Sequence, residues 1–200
     1  MDHRRRHALT IISVAFIVFK RDPSRDACAR WVHALETSSS AGPPDGVFDH
    51  HEREVRLPTS EALDSAFQQL RTQLLSYDIF PARFLRFVIC PPGQVAVGSI
   101  IVQRIGFGPV ALESAVRVVD VWDRLTAGEQ QAGFRYVTLA GHPERGTASF
   151  EVRLGRDGKL MVVLESQSLP GSLAYRLARP IARSIQLSIT RAAIRRLAKG

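Results

Sequence analysis

The stretch GFRYVTLAGHPERG, residues 133–146, begins like a buried strand and ends in a turn that contains histidine, proline and glutamate. Side chains alternate between the two faces of a strand, so Phe134, Tyr136 and Thr138 share one face. A second strand is predicted from Thr147 to Leu154, which makes the HPERG segment the connection between two antiparallel strands. This stretch therefore indicates an antiparallel sheet.

The same two-residue alternation predicts further strands on both sides of this pair. Segments rich in proline and glycine separate them as turns, among them PPG at 91–93 and the Asp157-Gly158 pair. The predicted strands cover residues 47–57, 84–90, 95–105, 110–122, 131–140, 147–154 and 160–168. Short connections of this kind are typical of antiparallel neighbours.

Two segments have helical periodicity instead. After the first strand, Leu63, Phe67, Leu70 and Leu74 form an apolar stripe, and Thr59 or Ser60 is the expected N-cap. After the last strand, one long amphipathic helix of about 25 residues is predicted. Its apolar stripe contains Leu173, Leu177, Ile181, Ile185, Ile189, Ala192 and Leu197.

A sheet with one face to bury and a long helix with an apolar stripe are expected to pack together. We therefore predict an α+β helix-grip fold. It has a curved antiparallel sheet of about seven strands, one short helix after the first strand, and a long C-terminal helix packed across the sheet. Where the sheet curls away from that helix, an apolar pocket of several hundred Å³ is expected.

The string GFxYxTLxGHPExG, followed by Phe150, resembles the central signature of an uncharacterised family, the domain of unknown function numbered 1990. That family is similar to the START-like and birch-pollen-allergen-like helix-grip superfamily. Ser168-x-Pro170 and Gln186 also resemble its pattern, and the resemblance covers residues 46–198. The chain departs from the pattern at Val137, where glycine is usual, and at Thr147-Ala148, where an acidic pair is usual.

The resemblance implies a single helix-grip domain that holds a hydrophobic small molecule or lipid, and it implies no established activity. The candidate ligand-binding residues are Phe134, Tyr136, Thr138, His142, Glu144, Phe150, Ser168 and Gln186. The alternative for the strand residues is a filled core in which neighbouring groups satisfy the hydroxyls. For Ser168 the alternative is a helix cap, and for Gln186 a structural hydrogen bond to the sheet.

His142 and Glu144 allow three interpretations. The favoured one is a structural corner, in which the imidazole bonds to carbonyl groups of the turn. The others are a contact in the pocket or with a partner, and acid–base catalysis by a histidine beside a carboxylate. One histidine and one glutamate make a poor metal site, so no metal and no cofactor are predicted.

The first 42 residues are predicted to be an N-terminal extension, with a linker at 37–46 and the main domain at 46–200. Three arginines precede an apolar run at 8–19, which is too short to span a membrane. An extra strand or packed helix is favoured for this run, and a signal, an anchor or a disordered extension are the alternatives. Cys28 and Cys90 favour a reducing compartment, with one disulfide left open. A cytoplasmic location is therefore expected, or export or membrane association if residues 1–29 act as a signal or anchor.

The net charge of +8 is concentrated at the C-terminus, because residues 171–200 contain seven lysines and arginines and no acidic residue. A solvated helix face is favoured for these cations, and nucleic acid is disfavoured as a partner because no aromatic residue follows Tyr175.

The sequence is compatible with three kinds of function. The first is a non-enzymatic module that binds an apolar small molecule or lipid. The second is an enzyme that uses His142, Glu144, Tyr136 or Ser168. The third is a protein that associates weakly with an anionic membrane surface or a partner through its basic C-terminal helix.

Overall fold

The structure is a computed structural model that describes residues 16–19, 23, 25–55, 62–107, 109–126, 128–171 and 179–198. It contains eight strands and three helices within these ranges. The strands are β1 (Phe16–Phe19), β2 (Val47–Glu54), β3 (Leu85–Cys90), β4 (Ile100–Phe107), β5 (Val110–Thr126), β6 (Glu129–Thr138), β7 (Glu144–Leu154) and β8 (Leu160–Pro170). The helices are α1 (Arg25–Trp31), α2 (Leu63–Leu75) and α3 (Arg179–Leu197).

Seven of the strands form a continuous antiparallel sheet in the order β2-β8-β7-β6-β5-β4-β3. The short β1 pairs with the beginning of β5, where Phe16 lies opposite Glu113 and Phe19 opposite Val110. One edge of β5 pairs with β4. The other edge pairs with β1 at the beginning of β5 and with β6 from Val116 onward, where Val116 lies opposite Thr138. The end of the apolar run at 8–19 is thus a strand, as favoured, and residues 8–15 lie outside the described residues.

The register between β5 and β6 shifts between Val118 and Asp120, which marks a β-bulge in the long β5 strand. A bulge bends its strand and increases the local twist, so it contributes to the curvature of the sheet. The concave face holds the main core, which includes Ile101, Phe134 and Phe150. This confirms the predicted α+β helix-grip architecture.

The helix α2 covers one end of the concave face, where it packs on β6 and β7. Its buried residues include Phe67, Leu70 and Leu74, as the periodicity predicts. The predicted caps Thr59 and Ser60 lie outside the described residues. The helix α3 packs on the same face, and its buried side chains Ile189, Ala193, Ile194 and Leu197 belong to the same core.

The convex face carries a second layer that the sequence analysis placed in an extension. Ala27 and Trp31 of α1 pack against Ile100 and Val102 of β4 and form a separate apolar cluster. A disulfide joins Cys28 of α1 to Cys90 at the end of β3. Of the two alternatives left open for these cysteines, the structure therefore has the disulfide rather than free thiols.

A buried ion pair also holds α1 on the sheet. The carboxylate of Glu113, on β5, has no exposed surface. It accepts hydrogen bonds from Arg30 Nη2 at 2.6 Å and from Arg104 Nε at 2.8 Å, and Trp31 Nε1 lies 3.4 Å away. Burial by itself raises the pKa of this carboxyl group, but the bonds from Arg30 and Arg104 outweigh it and bring the pKa below its ordinary value. Glu113 is therefore an anion that links α1, β4 and β5.

Several strand boundaries differ from the predicted ones. The strand predicted to begin at Val95 begins at Ile100. The Val95 amide donates instead to the Leu75 carbonyl at 2.7 Å, and a turn follows in which the Ser99 amide donates to the Ala96 carbonyl at 2.9 Å. The strand predicted to begin at Thr147 begins at Glu144. The connection between β6 and β7 therefore consists of residues 139–143 and lies earlier in the chain than the HPERG segment.

Candidate functional site

A cavity of about 160 Å³ lies between the concave face of the sheet and α3. Its wall is mostly apolar and includes Phe80, Leu85, Ile105, Leu164 and Ile189. The cavity is smaller than the several hundred Å³ that we expected. Packed aromatic rings take up much of the space beneath it. Phe134 and Phe150 stack with ring centroids 5.3 Å apart, and Phe80 meets Phe150 edge-on at 5.8 Å.

Six of the eight candidate residues line this cavity. They are Tyr136, Thr138, His142, Glu144, Phe150 and Ser168. Phe134 shares the concave face with Tyr136 but lies one layer deeper, fully buried among Tyr77, Tyr136 and Phe150. The side chain of Gln186 lies outside the described residues. The common location comes from the register, because the end of β6, the beginning of β7 and the end of β8 are neighbours.

A buried polar network forms part of the cavity wall, and two of its three members, Tyr77 and Gln103, were not among the predicted site residues. Gln103 Nε2 donates to the Tyr77 hydroxyl at 2.5 Å. Tyr136 belongs to the same group, since interactions with Gln103 and Tyr77 each lower its pKa. Gln103 is the only uncharged polar residue within the IIVQRI run of β4, and its place in that run is the signal that could have indicated it.

Tyr77 has a backbone φ of 58°, in the left-handed region that non-glycine residues rarely adopt. It lies two residues after the end of α2 and has no exposed surface. A residue in this conformation costs about 1–3 kcal/mol, and the surrounding structure must compensate for it. This conformation turns the tyrosine inward beneath the cavity, where its hydroxyl meets Gln103.

Both tyrosines of the network stay protonated in neutral solution. Burial is the main reason that the pKa of Tyr77 lies well above its ordinary value. Burial also raises the pKa of Tyr136, and the nearby negative charge of Glu144 raises it further. Tyr136 is therefore a neutral phenol and a hydrogen-bond donor throughout the physiological pH range.

His142 is held by its own turn. Its Nδ1 lies 2.9 Å from the carbonyl oxygen of Glu144 and 3.0 Å from the amide nitrogen of the same residue. This contact agrees with the favoured interpretation of a structural corner. Burial lowers the pKa of His142 to about 4, and the backbone contact opposes that shift only in part. The imidazole on the cavity wall is thus neutral at pH 7.

The hydroxyl of Thr138 is engaged within the protein. It accepts a hydrogen bond from the Gly146 amide at 2.9 Å and lies 2.5 Å from the hydroxyl of Thr37. The Thr37 hydroxyl donates to the carbonyl of Thr138 at 3.0 Å, so the Thr138 hydroxyl donates in turn to Thr37. Thr138 therefore contributes its methyl group to the cavity, together with a hydroxyl group whose hydrogen bonds are already made within the protein.

Two glycines of the quoted stretch are required by close packing. A Cβ at Gly133 would overlap the ring of Trp122 and the carbonyl of Phe150. A Cβ at Gly146 would overlap the carbonyl of Gln167. The strands beside the cavity can therefore approach each other only because these positions have no side chain.

The described residues contain no group of three or more histidine, cysteine, aspartate or glutamate side chains that could hold a metal ion. In the same part of the chain, no helix is both long and apolar enough to cross a membrane.

The two faces of α3 differ in exposure. Arg191 and Arg195 are exposed, and Ile189 and Ile194 on the opposite face are buried in the core. The described part of α3 therefore uses its apolar face to cover the sheet.

Solved structures share the fold at low sequence identity. A hypothetical protein from Helicobacter pylori is 12% identical with a TM-score of 0.52, over 78% of this chain and 89% of that one. A norcoclaurine synthase from Thalictrum flavum, in complex with dopamine and hydroxybenzaldehyde, is 15% identical with a TM-score of 0.44, over 76% and 85% of the two chains. The major latex-like protein 151 from Panax ginseng is 11% identical with a TM-score of 0.37, over 73% and 93%. At these identities the likeness concerns the fold alone.

A search of curated proteins found no significant match. The sequence profile of one family, described as a domain of unknown function (DUF1990), matches residues 32–196. The match contains the whole GFxYxTLxGHPExG string and every element from β2 to β8. It also begins fourteen residues before the predicted domain boundary at residue 46, within the segment that follows α1. The chain belongs to the DUF1990 family.

Proposed function

We propose that this protein is a binding module for a hydrophobic small molecule, which it holds in the cavity between the sheet and α3. The observation that carries the proposal is the cavity itself, about 160 Å³ in volume, with a mostly apolar wall and a few polar groups. Small-molecule sites generally combine these properties, since apolar contacts provide affinity and a few polar groups orient the ligand.

The volume sets the size of the ligand. An apolar cavity of about 150 Å³ in another protein is known to bind benzene. A compound of one ring with a short substituent therefore fits the cavity as it stands. A longer lipid chain would need α3 or the rings of Phe80 and Phe150 to move. We accordingly favour a compact apolar molecule over a lipid.

The enzyme alternative requires at least two of the candidate acid–base groups to converge. The Nδ1 atom of His142 is engaged by the backbone of Glu144 rather than by Tyr136 or Ser168. The pKa of His142 is lowered to about 4 and that of Tyr136 is raised, so both shifts move these groups away from exchanging protons near pH 7. These features favour a binding role.

The test is to fill the cavity. Ala148 lines it and is 7% exposed, so Ala148→Leu adds three carbon atoms to the wall. Ala66→Leu is the matched control, because Ala66 lies on α2, packs at the edge of the core and does not line the cavity. Native mass spectrometry and organic extraction of the purified proteins report what each of them retains.

We expect the wild type and Ala66→Leu to retain an apolar compound at near one per chain, and Ala148→Leu to lose it. Titration with toluene, followed by NMR of the protein amides, provides the same comparison if nothing is retained on purification. Equal binding of toluene by Ala148→Leu and the wild type, or no binding by any of the three proteins, would contradict the proposal.

A further inference from the structure

The concave face of β8 changes from apolar to polar along the cavity. Alternate residues of a strand share one face, so Leu164, Ser166 and Ser168 lie on the same side, and all three line the cavity. Leu164 is buried and belongs to the core, whereas the two serines are half-buried. The cavity therefore has an apolar end at Leu164 and a polar end at the serines.

The neighbouring strand β7 does not cover the two serines with a large side chain. Phe150 lies opposite the apolar end of β8, but Ala148 lies opposite Ser166 and Gly146 lies opposite Ser168. Along this face of β7 an aromatic ring thus gives way to a methyl group and then to a glycine. Both serine hydroxyls therefore stay open to the cavity.

The protein itself makes no use of these two hydroxyl groups. Among the residues that the structure describes, none forms a hydrogen bond with the hydroxyl of Ser166 or of Ser168. The hydroxyl of Thr138 on the same wall differs, because it bonds to Thr37 and to the Gly146 amide. A ligand that covers the serines without a polar group of its own takes them out of solvent and leaves them without a partner, which is unfavourable.

The titratable groups near this end narrow the chemistry of the polar group. Glu144 lines the cavity two residues before Gly146 on β7, and Asp49 of β2 lies opposite Ser166 without lining the cavity. His142 contacts Glu144 through Nδ1 and is neutral at pH 7, because burial lowers its pKa to about 4. Two carboxylates and a neutral imidazole disfavour an anionic group on the ligand. An uncharged hydroxyl suits the serines, because each partner can both donate and accept.

We propose that Ser166 and Ser168 form the polar subsite of the cavity and select a compact alcohol, with one ring and a hydroxyl on a short substituent. This inference rests on the proposed binding function and adds the position and the chemistry of the ligand's polar group. The ring lies at the Leu164 end of the cavity. The serines begin about 7 Å further along β8, a distance that one ring with a two-carbon substituent spans.

Two probes of nearly equal size test the inference on the full chain. 2-Phenylethanol ends in a hydroxyl group, and propylbenzene has a methyl group in its place. NMR titration measures the affinity of each for the wild type and for the double variant that combines Ser166→Ala with Ser168→Ala. We expect the double variant to bind 2-phenylethanol roughly fivefold more weakly, which is the range of one net hydrogen bond. It should bind propylbenzene at least as tightly as the wild type does, which also shows that the variant is folded.

Ser149→Ala is the matched control. It is the same substitution on β7, but Ser149 lies between Ala148 and Phe150, faces the other side of the sheet and does not line the cavity. We expect it to leave the affinity for both probes unchanged. If the double variant weakens neither probe, or weakens both equally, the inference is wrong and the binding function stands. If neither probe binds to any of the proteins, both are wrong.

A third probe separates the serines from the carboxylates. 2-Phenylethylamine has the shape of 2-phenylethanol and carries a positive charge at neutral pH. We expect the wild type to bind the alcohol more tightly than the amine. Tighter binding of the amine would mean that Glu144, rather than the two serines, selects the ligand, and it would overturn the inference.

Discussion

Arg30 and Glu113 are 83 residues apart in the chain, and their side chains meet at 2.6 Å beneath α1. The carboxylate is fully buried, while the arginine is 44% exposed. The pair therefore connects the solvent-facing side of α1 to the interior of the convex layer. Removal of one partner from a buried ion pair is costly because the other charge is left without compensation.

We accordingly expect Glu113→Gln to lower the free energy of unfolding by about 3 kcal/mol, since two arginines then lose their anion. Glu36→Gln is the control. Glu36 pairs with Arg117 at 3.3 Å and is 38% exposed, so its loss is expected to cost less than about 1 kcal/mol. Urea denaturation measures both values. Similar small losses in the two variants would show that the Glu113 pair contributes little.

The disulfide between Cys28 and Cys90 closes a loop of 62 residues. Restricting the unfolded chain by a loop of that length stabilises the folded state by about 4 kcal/mol in the chain-entropy model. The variant with Cys28→Ser and Cys90→Ser is therefore expected to unfold at a clearly lower urea concentration than the oxidised wild type. The wild type in reducing agent should resemble the variant. Identical transitions with and without reducing agent would mean that the bond does not form in solution.

The pH dependence of stability reports on His142. Its pKa in the folded protein is about 4, below the ordinary value of 6.5, so the unfolded chain takes up a proton first as the pH falls. The stabilisation is complete above pH 6.5 and is lost as the pH falls toward 4, by up to roughly 3 kcal/mol. The ring is partly accessible from the cavity, so solvation reduces this loss. His142→Asn should flatten the stability curve between pH 6.5 and 4 relative to the wild type, and parallel curves would refute the shift.

The close approach of β7 and β8 can be tested at Gly146. A Cβ at this position overlaps the backbone carbonyl of Gln167, which cannot move without shifting a strand. Gly146→Ala is expected to cost about 2–3 kcal/mol. At Gly155 the added Cβ meets only the carboxylate end of the Asp157 side chain, which can rotate, so Gly155→Ala should cost less than about 1 kcal/mol. Thermal unfolding of both variants provides the comparison.

The concave half of the fold was predictable because its signal is periodic. Each pattern can be recognised within a single strand or helix, without knowledge of its neighbours. The alternation of apolar residues indicated the strands correctly, and the stripe Phe67, Leu70 and Leu74 indicated α2 correctly. The convex layer had no such signal. The helix α1 is only seven residues long, and its anchors Glu113 and Cys90 lie far from it in sequence. Pairings of this kind are set by the tertiary structure.

The candidate site, like the fold, was predictable only where its residues lie close together in the sequence. Tyr136, Thr138 and His142 were found because they lie in one recognisable string beside a turn. Tyr77 and Gln103 were missed because each acts through a contact between distant elements, 26 residues apart. Which of these groups become fully buried together is set by the tertiary structure, and single-sequence patterns do not reveal that.

The pairing of Glu36 with Leu139 has a consequence for where the folding unit begins. The segment after α1 continues the ladder at the point where β6 ends, and the Thr37 amide donates to the carbonyl of Thr138 on the cavity wall. A shortened protein that starts at residue 46 would lose this ladder, the disulfide and one cation of Glu113 together. Gene designs for expression should therefore start upstream of Arg25, and a shorter product would be expected to aggregate through the uncovered residues Ile100 and Val102.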